Sequence, residues 1–498
     1  MAKIAIIGSG FSSLSAACYL SQSGHEVHIF EKNETVGGRA RQIQTDNGYV
    51  FDMGPSWYWM PDVFERFFGD FGYKVSEFYE LEALDPAFEM VFPARERFYV
   101  PASYEALREK FESIERGSAK RLDQFMEDAK YKYEVGMKKI VYKPGLSLFE
   151  FLDADILRGA LRFDLLSSFS SHVRKYFSNP QLLALMEFPV LFLGAMPRDT
   201  PALYSLMNYA GLKLGTWYPM GGFGKVIEGM AHLARELGVQ IHCNSTVEKI
   251  VTEGRRATHL MVKGRREEMD AVLAGADYHH VEHHLLEAAE RNYTERYWKK
   301  KIMAPSCLIF FIGLRKRIGK ISHHTLFFEE DLLAHSREIY KTPKWPEKPL
   351  FYVCCPSQTD PNVAPPGHEN LFLLMPIAPG LEDSEAQREH YYQMMMDRLE
   401  KHLGESLRGE VDFKKAYCID DFVDDYNSFR GNAYGLANTL MQTANLKPKI
   451  RNRQVDNLFY CGQLTVPGPG VPPSIISGKI AAQQLQLQLK RESNEAII

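Results

Sequence analysis

Four consecutive apolar residues, Ile4 to Ile7, give way to a glycine turn from Gly8 to Phe11, a helical pattern from Ser12 to Ser23 and a second apolar run from Val27 to Phe30. Strand, turn, helix and strand in that order form a βαβ opening and predict an α/β protein with a parallel sheet. From Ser103 to Tyr142 apolar residues (Leu107, Phe111, Ile114, Leu122, Phe125, Met126) recur among Lys and Glu, which predicts amphipathic helices. Residues 146–215 are a second helical block, far more apolar and punctuated by Pro180, Pro189, Pro197 and Pro201. After Tyr218-Pro219-Met220-Gly221-Gly222 the α/β pattern resumes, with a helix over Lys225 to Leu237 and strands over Val239 to Cys243 and Val247 to Val251. Short buried runs at Cys307 to Leu314, Leu350 to Cys355 and Leu371 to Ile377 predict a second sheet, and a helix is expected from Ser474 onward.

The chain has 498 residues, roughly three domains' worth, and its 45% hydrophobic and 24% charged residues suit large globular cores. A formal net charge of −4 provides no basic field for a nucleic-acid backbone, so nucleic acid is not expected as a partner. The seven cysteines are scattered without a C-x-x-C pair, which argues against a disulfide framework or zinc knuckle and fits a reducing cytoplasm. Met1-Ala2-Lys3 leads into a strand rather than a secretory signal, and the most apolar stretch, Leu182 to Met196, is broken by Glu187 and Pro189, so no transmembrane helix is predicted. Aromatic residues reach 12%, with dense groups at Trp57-Tyr58-Trp59, Phe64 to Phe71 and Phe188 to Phe192, a composition suited to a large apolar ligand.

Gly8-Ser9-Gly10-Phe11-Ser12-Ser13 stands between strand and helix where G-x-G-x-x-G binds a dinucleotide, so peptide N–H groups and the helix N-terminus can meet a pyrophosphate. Ser13 departs from the pattern, because the third glycine normally permits close helix–strand packing. Glu31 closes the second strand, where a carboxylate accepts both ribose hydroxyls and repels a 2′-phosphate. Val36-Gly37-Gly38-Arg39-Ala40 then offers backbone without side chains and a guanidinium fork for phosphate. This turn resembles the flavin-binding Gly-Gly motif and makes FAD the expected cofactor. The absence of a second G-x-G-x-x-G disfavours NAD(P) as a stoichiometric partner.

Phe51-Asp52-Met53-Gly54-Pro55-Ser56-Trp57, Trp217-Tyr218-Pro219-Met220-Gly221-Gly222 and Gly462-Gln463-Leu464-Thr465-Val466-Pro467-Gly468-Pro469-Gly470-Val471-Pro472 extend the likeness. So do Ala276-Asp277-Tyr278-His279-His280, Thr359-Asp360-Pro361 and Arg430-Gly431-Asn432-Ala433-Tyr434-Gly435. Together, over nearly the whole chain, they resemble the bacterial carotenoid desaturases of phytoene-desaturase type, within the amine-oxidase-like flavoproteins. The resemblance implies a Rossmann-like FAD-binding domain of amine-oxidase type, a second mixed-sheet substrate domain and a helical membrane-facing lobe. The FAD-binding domain is expected from residues 1–75, 218–290 and 451–498, the substrate domain from 76–145 and 291–450, and the apolar lobe from 146–217. By the same resemblance Gly8, Gly10, Phe11, Ser12, Glu31, Lys32, Gly38 and Arg39 hold the ADP half of FAD, and Val247 meets the adenine. Gly54, Pro55 and Ser56 approach the flavin, while Gly462, Gln463, Gly470 and Val471 offer backbone near the ribityl, pyrophosphate and ring edge.

The implied reaction removes two hydrogens from a C–C bond beside a polyene, with the hydride going to flavin, so the protein chiefly has to position the substrate and exclude water. Asp155 and Arg158 occupy the segment where the family's proposed acidic residue and arginine lie, and at i, i+3 they also suit a surface ion pair. Trp57 and Trp217 are candidate tunnel walls or core residues. His279, His280, His283 and His284 have i, i+4 spacing, but no metal is implied, and solvated or core histidines are the expectation. At about 0.8 kcal/mol per CH₂ a forty-carbon hydrocarbon loses roughly 30 kcal/mol in water, so loading from a bilayer is expected. The apolar lobe, helped by Arg158, Arg162, Arg174 and Lys175, would then sit peripherally on the inner face of the cell membrane. Oxygen or quinone is the expected electron acceptor. Hydroxycarotenoid 3,4-desaturases, carotenoid isomerases, ketolases and saturases share these motifs. A monoamine or amino-acid oxidase and a non-catalytic prenyl-binding chaperone on the same scaffold are the readings of other classes.

Overall fold

Apolar runs with no alternating polar residue are buried on both faces, and in the computed structural model, which describes residues 1–147, 150 and 167–495, such runs form three adjacent strands of the central sheet, Leu458–Tyr460, Ala271–Ala274 and Lys3–Ile7. Its five strands lie in the order Leu458–Tyr460, Ala271–Ala274, Lys3–Ile7, Glu26–Phe30 and Gln240–His242. All are parallel, with Ile6 opposite Leu273 on one side and Ile29 on the other. The helix Phe11–Gln22 packs against the helix Val471–Glu495 so closely that a Cβ on Gly478 would come within 2.2 Å of the Ser12 carbonyl oxygen. A three-stranded antiparallel unit (Val247–Glu253, Arg256–Val262, Arg265–Glu268) sits beside this sheet.

The second sheet has seven strands, ordered Val411–Tyr417, Ser306–Leu314, Glu369–Ile377, Phe351–Cys354, His324–Phe327, Phe88–Val91 and Arg97–Val100. Neighbours are antiparallel except for His324–Phe327 beside Phe88–Val91. The charged helical stretch becomes helices Tyr104–Ile114 and Ser118–Val135. In the apolar block the described helices are short: Phe169–Val173, Pro180–Glu187 and Leu206–Leu212. No described helix is long and apolar enough to cross a membrane.

The glycine missing at position 13 reappears across the contact. A Cβ on Gly275 would lie 2.0 Å from Ser13 Oγ, so Ser13 fills the space that the strand end leaves open. Gly275→Ala is therefore expected to overpack this junction and cost about 1–3 kcal/mol, seen as a lower melting temperature. Adding Ser13→Gly in the same chain should recover most of the loss, whereas independent effects would leave the double variant no better than Gly275→Ala.

Candidate cofactor and substrate cavity

A single cavity of about 890 Å³ runs from the first glycine turn to the face of the seven-stranded sheet. Gly8, Gly10, Phe11, Ser12, Glu31, Lys32, Gly38, Arg39, Gly54, Pro55, Ser56, Val247, Gly462, Gln463, Gly470 and Val471 all stand on its wall. Asp155 and Arg158 lie outside the described residues.

The glycines shape one end. Gly10 begins the helix Phe11–Gln22, and a Cβ there would meet nothing within 4 Å, so its bare face opens on the cavity. The second turn packs on the first: a Cβ on Gly38 would lie 3.3 Å from Gly10 Cα, and Gly37 N–H donates to the Ser9 carbonyl at 3.0 Å. Gly54 closes on the same turn, since its Cβ would stand 2.6 Å from the Arg39 carbonyl oxygen. On the far side Gly462 has φ +105° and its N–H donates to Ser477 Oγ at 3.0 Å.

Glu31 is buried and fixed by four hydrogen bonds. Ser9 N and Oγ donate to its Oε2 at 2.9 and 2.6 Å, and Asn33 N and Nδ2 donate to Oε1 at 2.9 and 3.0 Å. Arg39 is held over the Tyr426 ring at 5.0 Å and donates to Ser428 Oγ and the Asn432 carbonyl. Its Nε is buried without an acceptor among the described residues, and burial lowers the guanidinium's pKa against the pull of the Asp277 carboxylate. An orphaned cationic donor beside two bare glycine turns and a helix N-terminus fits an anionic pyrophosphate. The residues present therefore fit FAD.

The other end is oily. Trp57, Phe188, Leu326, Phe328, Leu350 and Leu374 wall it, and Trp57 packs edge-on to Phe88 at 5.4 Å. His335 carries no charge into it: Leu350 N–H donates to Nδ1 at 3.1 Å, Nε2 pairs with the Pro376 carbonyl at 2.9 Å, and burial pushes the pKa down to about 4. Tyr340, Tyr434 and the Cys307 thiol form a neutral polar cluster on the same wall, with Cys307 pushed up to about 12 by burial and bonded to Tyr434. Among the described lining residues the carboxylates are Glu31, Glu248, Asp277 and Asp425. None belongs to the seven-stranded sheet that backs the oily end.

Several expectations need correction. Of its two expected roles Trp217 takes the second: it packs against the core rather than on the wall, and its indole N–H donates to the Leu214 carbonyl at 2.8 Å in a short strand paired with Leu81–Ala83. Arg174 is paired with Glu187 rather than free for a membrane. The four histidines divide: His279 and His283 share the Glu295 carboxylate at 2.8 and 3.2 Å, while His280 and His284 stack at 5.1 Å and face the cavity. These last two, with Tyr426, Tyr352 and Asp277, belong to the site although sequence reasoning gave them no role in it. The i, i+4 spacing signals the histidine pair, whereas nothing local marks Tyr426 or Tyr352.

The sequence profile of the flavin containing amine oxidoreductases matches residues 11–486. The chain is 40% identical to a carotenoid 3,4-desaturase of Haloarcula japonica over 97% of both proteins. It is 29% identical to a zeta-carotene-forming phytoene desaturase of Myxococcus xanthus, covering 97% of this chain and 93% of that one. An oxidoreductase from Methanosarcina mazei shares the fold with a TM-score of 0.62 at 15% identity, over 97% of this chain and 100% of that one. With glycine turns, acidic strand end and family profile in agreement, the chain belongs to the flavin-containing amine oxidoreductase family and its cofactor is FAD.

Proposed function

We propose that the protein is a carotenoid desaturase that introduces C=C bonds into an acyclic carotenoid. The observation that carries this reading is the continuity of the cavity: one unbroken space joins the dinucleotide-binding turns to a wall of Trp57, Phe188, Leu326 and Leu374. Bound FAD supplies a two-electron acceptor for hydride. The chain's own work is to hold a hydrocarbon in register along the oily wall, beside the flavin that Gly54, Pro55 and Ser56 approach, and to keep water out. Among the described residues the oily wall offers an amine substrate no counter-charge, which favours the hydrocarbon over the amine-oxidase reading. The prenyl-binding chaperone reading leaves the orphaned Arg39 and the bare glycines without purpose. Asp155 and Arg158 stay the proton-handling pair in this proposal.

A narrower reading, 3,4-desaturation of a hydroxylated carotenoid, is favoured by the Tyr340, Tyr434 and Cys307 cluster, which offers hydroxyl partners inside an otherwise apolar channel. The 40% identical relative carries 3,4-desaturation of a carotenoid in its name. Loading from a bilayer is supported by exposed Leu146, Ile302, Met441 and Leu446. Gln442 ties its segment to the Ile302 backbone, and Lys449 ties Gly145 to Asn445, so these apolar residues gather beside Lys299, Lys300 and Lys301. The site is then peripheral, on the inner face of the cell membrane, with oxygen or quinone as acceptor.

Expression in cells that accumulate phytoene, lycopene or a hydroxylated carotene tests the proposal. A red-shifted pigment from one feedstock, separated by chromatography, is the expected result and names the substrate. Flavin-loaded protein that leaves all three pigments unchanged overturns it.

A further inference from the structure

Behind the cavity wall, and outside the residues that line it, three metal-ligating side chains converge. His324 opens the strand His324–Phe327, His323 precedes it, and Cys354 lies directly across from His324 on the antiparallel neighbour. A ring nitrogen of each histidine and Cys354 Sγ lie within 4.8 Å of one another, and all three residues are buried. The two rings meet edge to face at 4.5 Å.

The hydrogen bonds settle which ring atoms are available. His324 Nδ1 lies 2.6 Å from Tyr352 Oη, which donates its own proton to Ser56 Oγ at 3.1 Å. Nδ1–H must therefore be the donor to Tyr352, which leaves the lone pair on Nε2. His323 Nδ1 meets Thr359 Oγ1 at 2.7 Å. Nε2 of both histidines is buried and finds no partner among the described residues. Burial also holds both imidazoles neutral, His323 down to about 3 and His324 well below its usual value. Neutral rings anchored through Nδ1 to hydroxyl groups have the outer-shell arrangement of metal-binding histidines. Two buried ring nitrogens without a partner among the described residues, beside a buried thiol, leave a polarity that a bound cation would satisfy.

We propose that His323, His324 and Cys354 bind a thiophilic d¹⁰ cation, Cu⁺ or Zn²⁺. Two imidazoles and one thiolate form the mixed soft set that suits both metals. Burial pushes the free Cys354 thiol up to about 12, so binding breaks its S–H bond, forms the S–metal bond and sends one proton to solvent with no change of oxidation state. The cation would lock the His324 ring, which stacks on Trp57 at 4.1 Å and 11°, and through Tyr352 it would brace Ser56. Both Trp57 and Ser56 wall the cavity. The site does not depend on which carotenoid, if any, the protein converts.

The full-length, FAD-loaded protein provides the test. After chelator stripping, return of Zn²⁺ alone, or of Cu⁺ alone under anaerobic reductant, should restore about one equivalent of one metal by mass spectrometric metal analysis. X-ray absorption at that metal's edge should show sulfur at about 2.3 Å and nitrogen at about 2.0 Å. Release of one proton makes the apparent affinity rise about tenfold per pH unit. Cys354→Ser and His323→Gln should each weaken binding at least about 100-fold, and Thr359→Val, which keeps all three ligands, about 10-fold. Unchanged flavin content in any one of these variants confirms that it is folded. Stripped wild-type protein that takes up neither metal, or a folded ligand variant that binds as tightly as wild type, overturns the proposal.

Discussion

Alanine in place of Glu31 is expected to yield colourless protein from a purification in which the wild type emerges yellow. The carboxylate's four acceptor positions are already taken by Ser9 and Asn33 donors, so it braces the first glycine turn as well as facing the ribose. Of those donors only Ser9 Oγ turns freely, and a ribose hydroxyl is expected to take its place. Hydrogen bonds to a charged group contribute about 1.5–3 kcal/mol each, so losing that ribose bond weakens FAD binding by roughly 10- to 100-fold, and releasing the Ser9 and Asn33 donors loosens the glycine turn besides. Fluorescence titration of the stripped protein with FAD measures this. Glu31→Ala protein that keeps one flavin per chain through gel filtration would show that the ribose is held elsewhere.

The second large effect separates cofactor from substrate. Leu374→Glu should leave a yellow protein that no longer desaturates. Leu374 lies on the sheet strand Glu369–Ile377 and faces the cavity, far along the chain from the dinucleotide-binding turns at Gly8–Gly10 and Gly37–Gly38. A carboxylate there either draws water in after it or stays protonated at a cost of several kcal/mol. Water beside the polyene forfeits the burial of about four CH₂ groups, roughly 3 kcal/mol, or about 100-fold in turnover at limiting substrate. Leu374→Met, which keeps volume and apolarity, should stay near wild type. Pigment chromatography with flavin absorbance as the folding control reads both outcomes, and full activity in Leu374→Glu would place the hydrocarbon elsewhere.

The cofactor half was open to sequence reading because its determinants are local. A glycine with positive φ, a helix N-terminus and an acidic strand end fall within about thirty residues, and each leaves a residue-type signature. The oily half was not. Phe188, Leu326 and Leu374 come from three distant segments, and only the folding of the second sheet brings them to one wall. Part of that sheet hides its strands. Phe88–Val91 carries the buried Glu89, whose charge breaks the apolar pattern and is answered by Arg97 and Ser322 from other segments. Val411–Tyr417 is an edge strand with two adjacent lysines and shows little hydrophobic period. The substitution at Ser13 looked like a loss of close packing, and only Gly275, brought next to it by the parallel pairing of Lys3–Ile7 with Ala271–Ala274, shows where the space was recovered.

The parallel sheet also sets an order of events during synthesis. Its outer strand Leu458–Tyr460 pairs with Ala271–Ala274, and the Gly462 to Val471 turn that follows closes the flavin end of the cavity. A nascent chain therefore emerges from the ribosome with its first glycine turn made and its cradle still open on one side until translation has passed Val471. Full enclosure of the cofactor therefore waits for this late segment, and the half-built protein must keep its long greasy trough from sticking to its neighbours in the meantime.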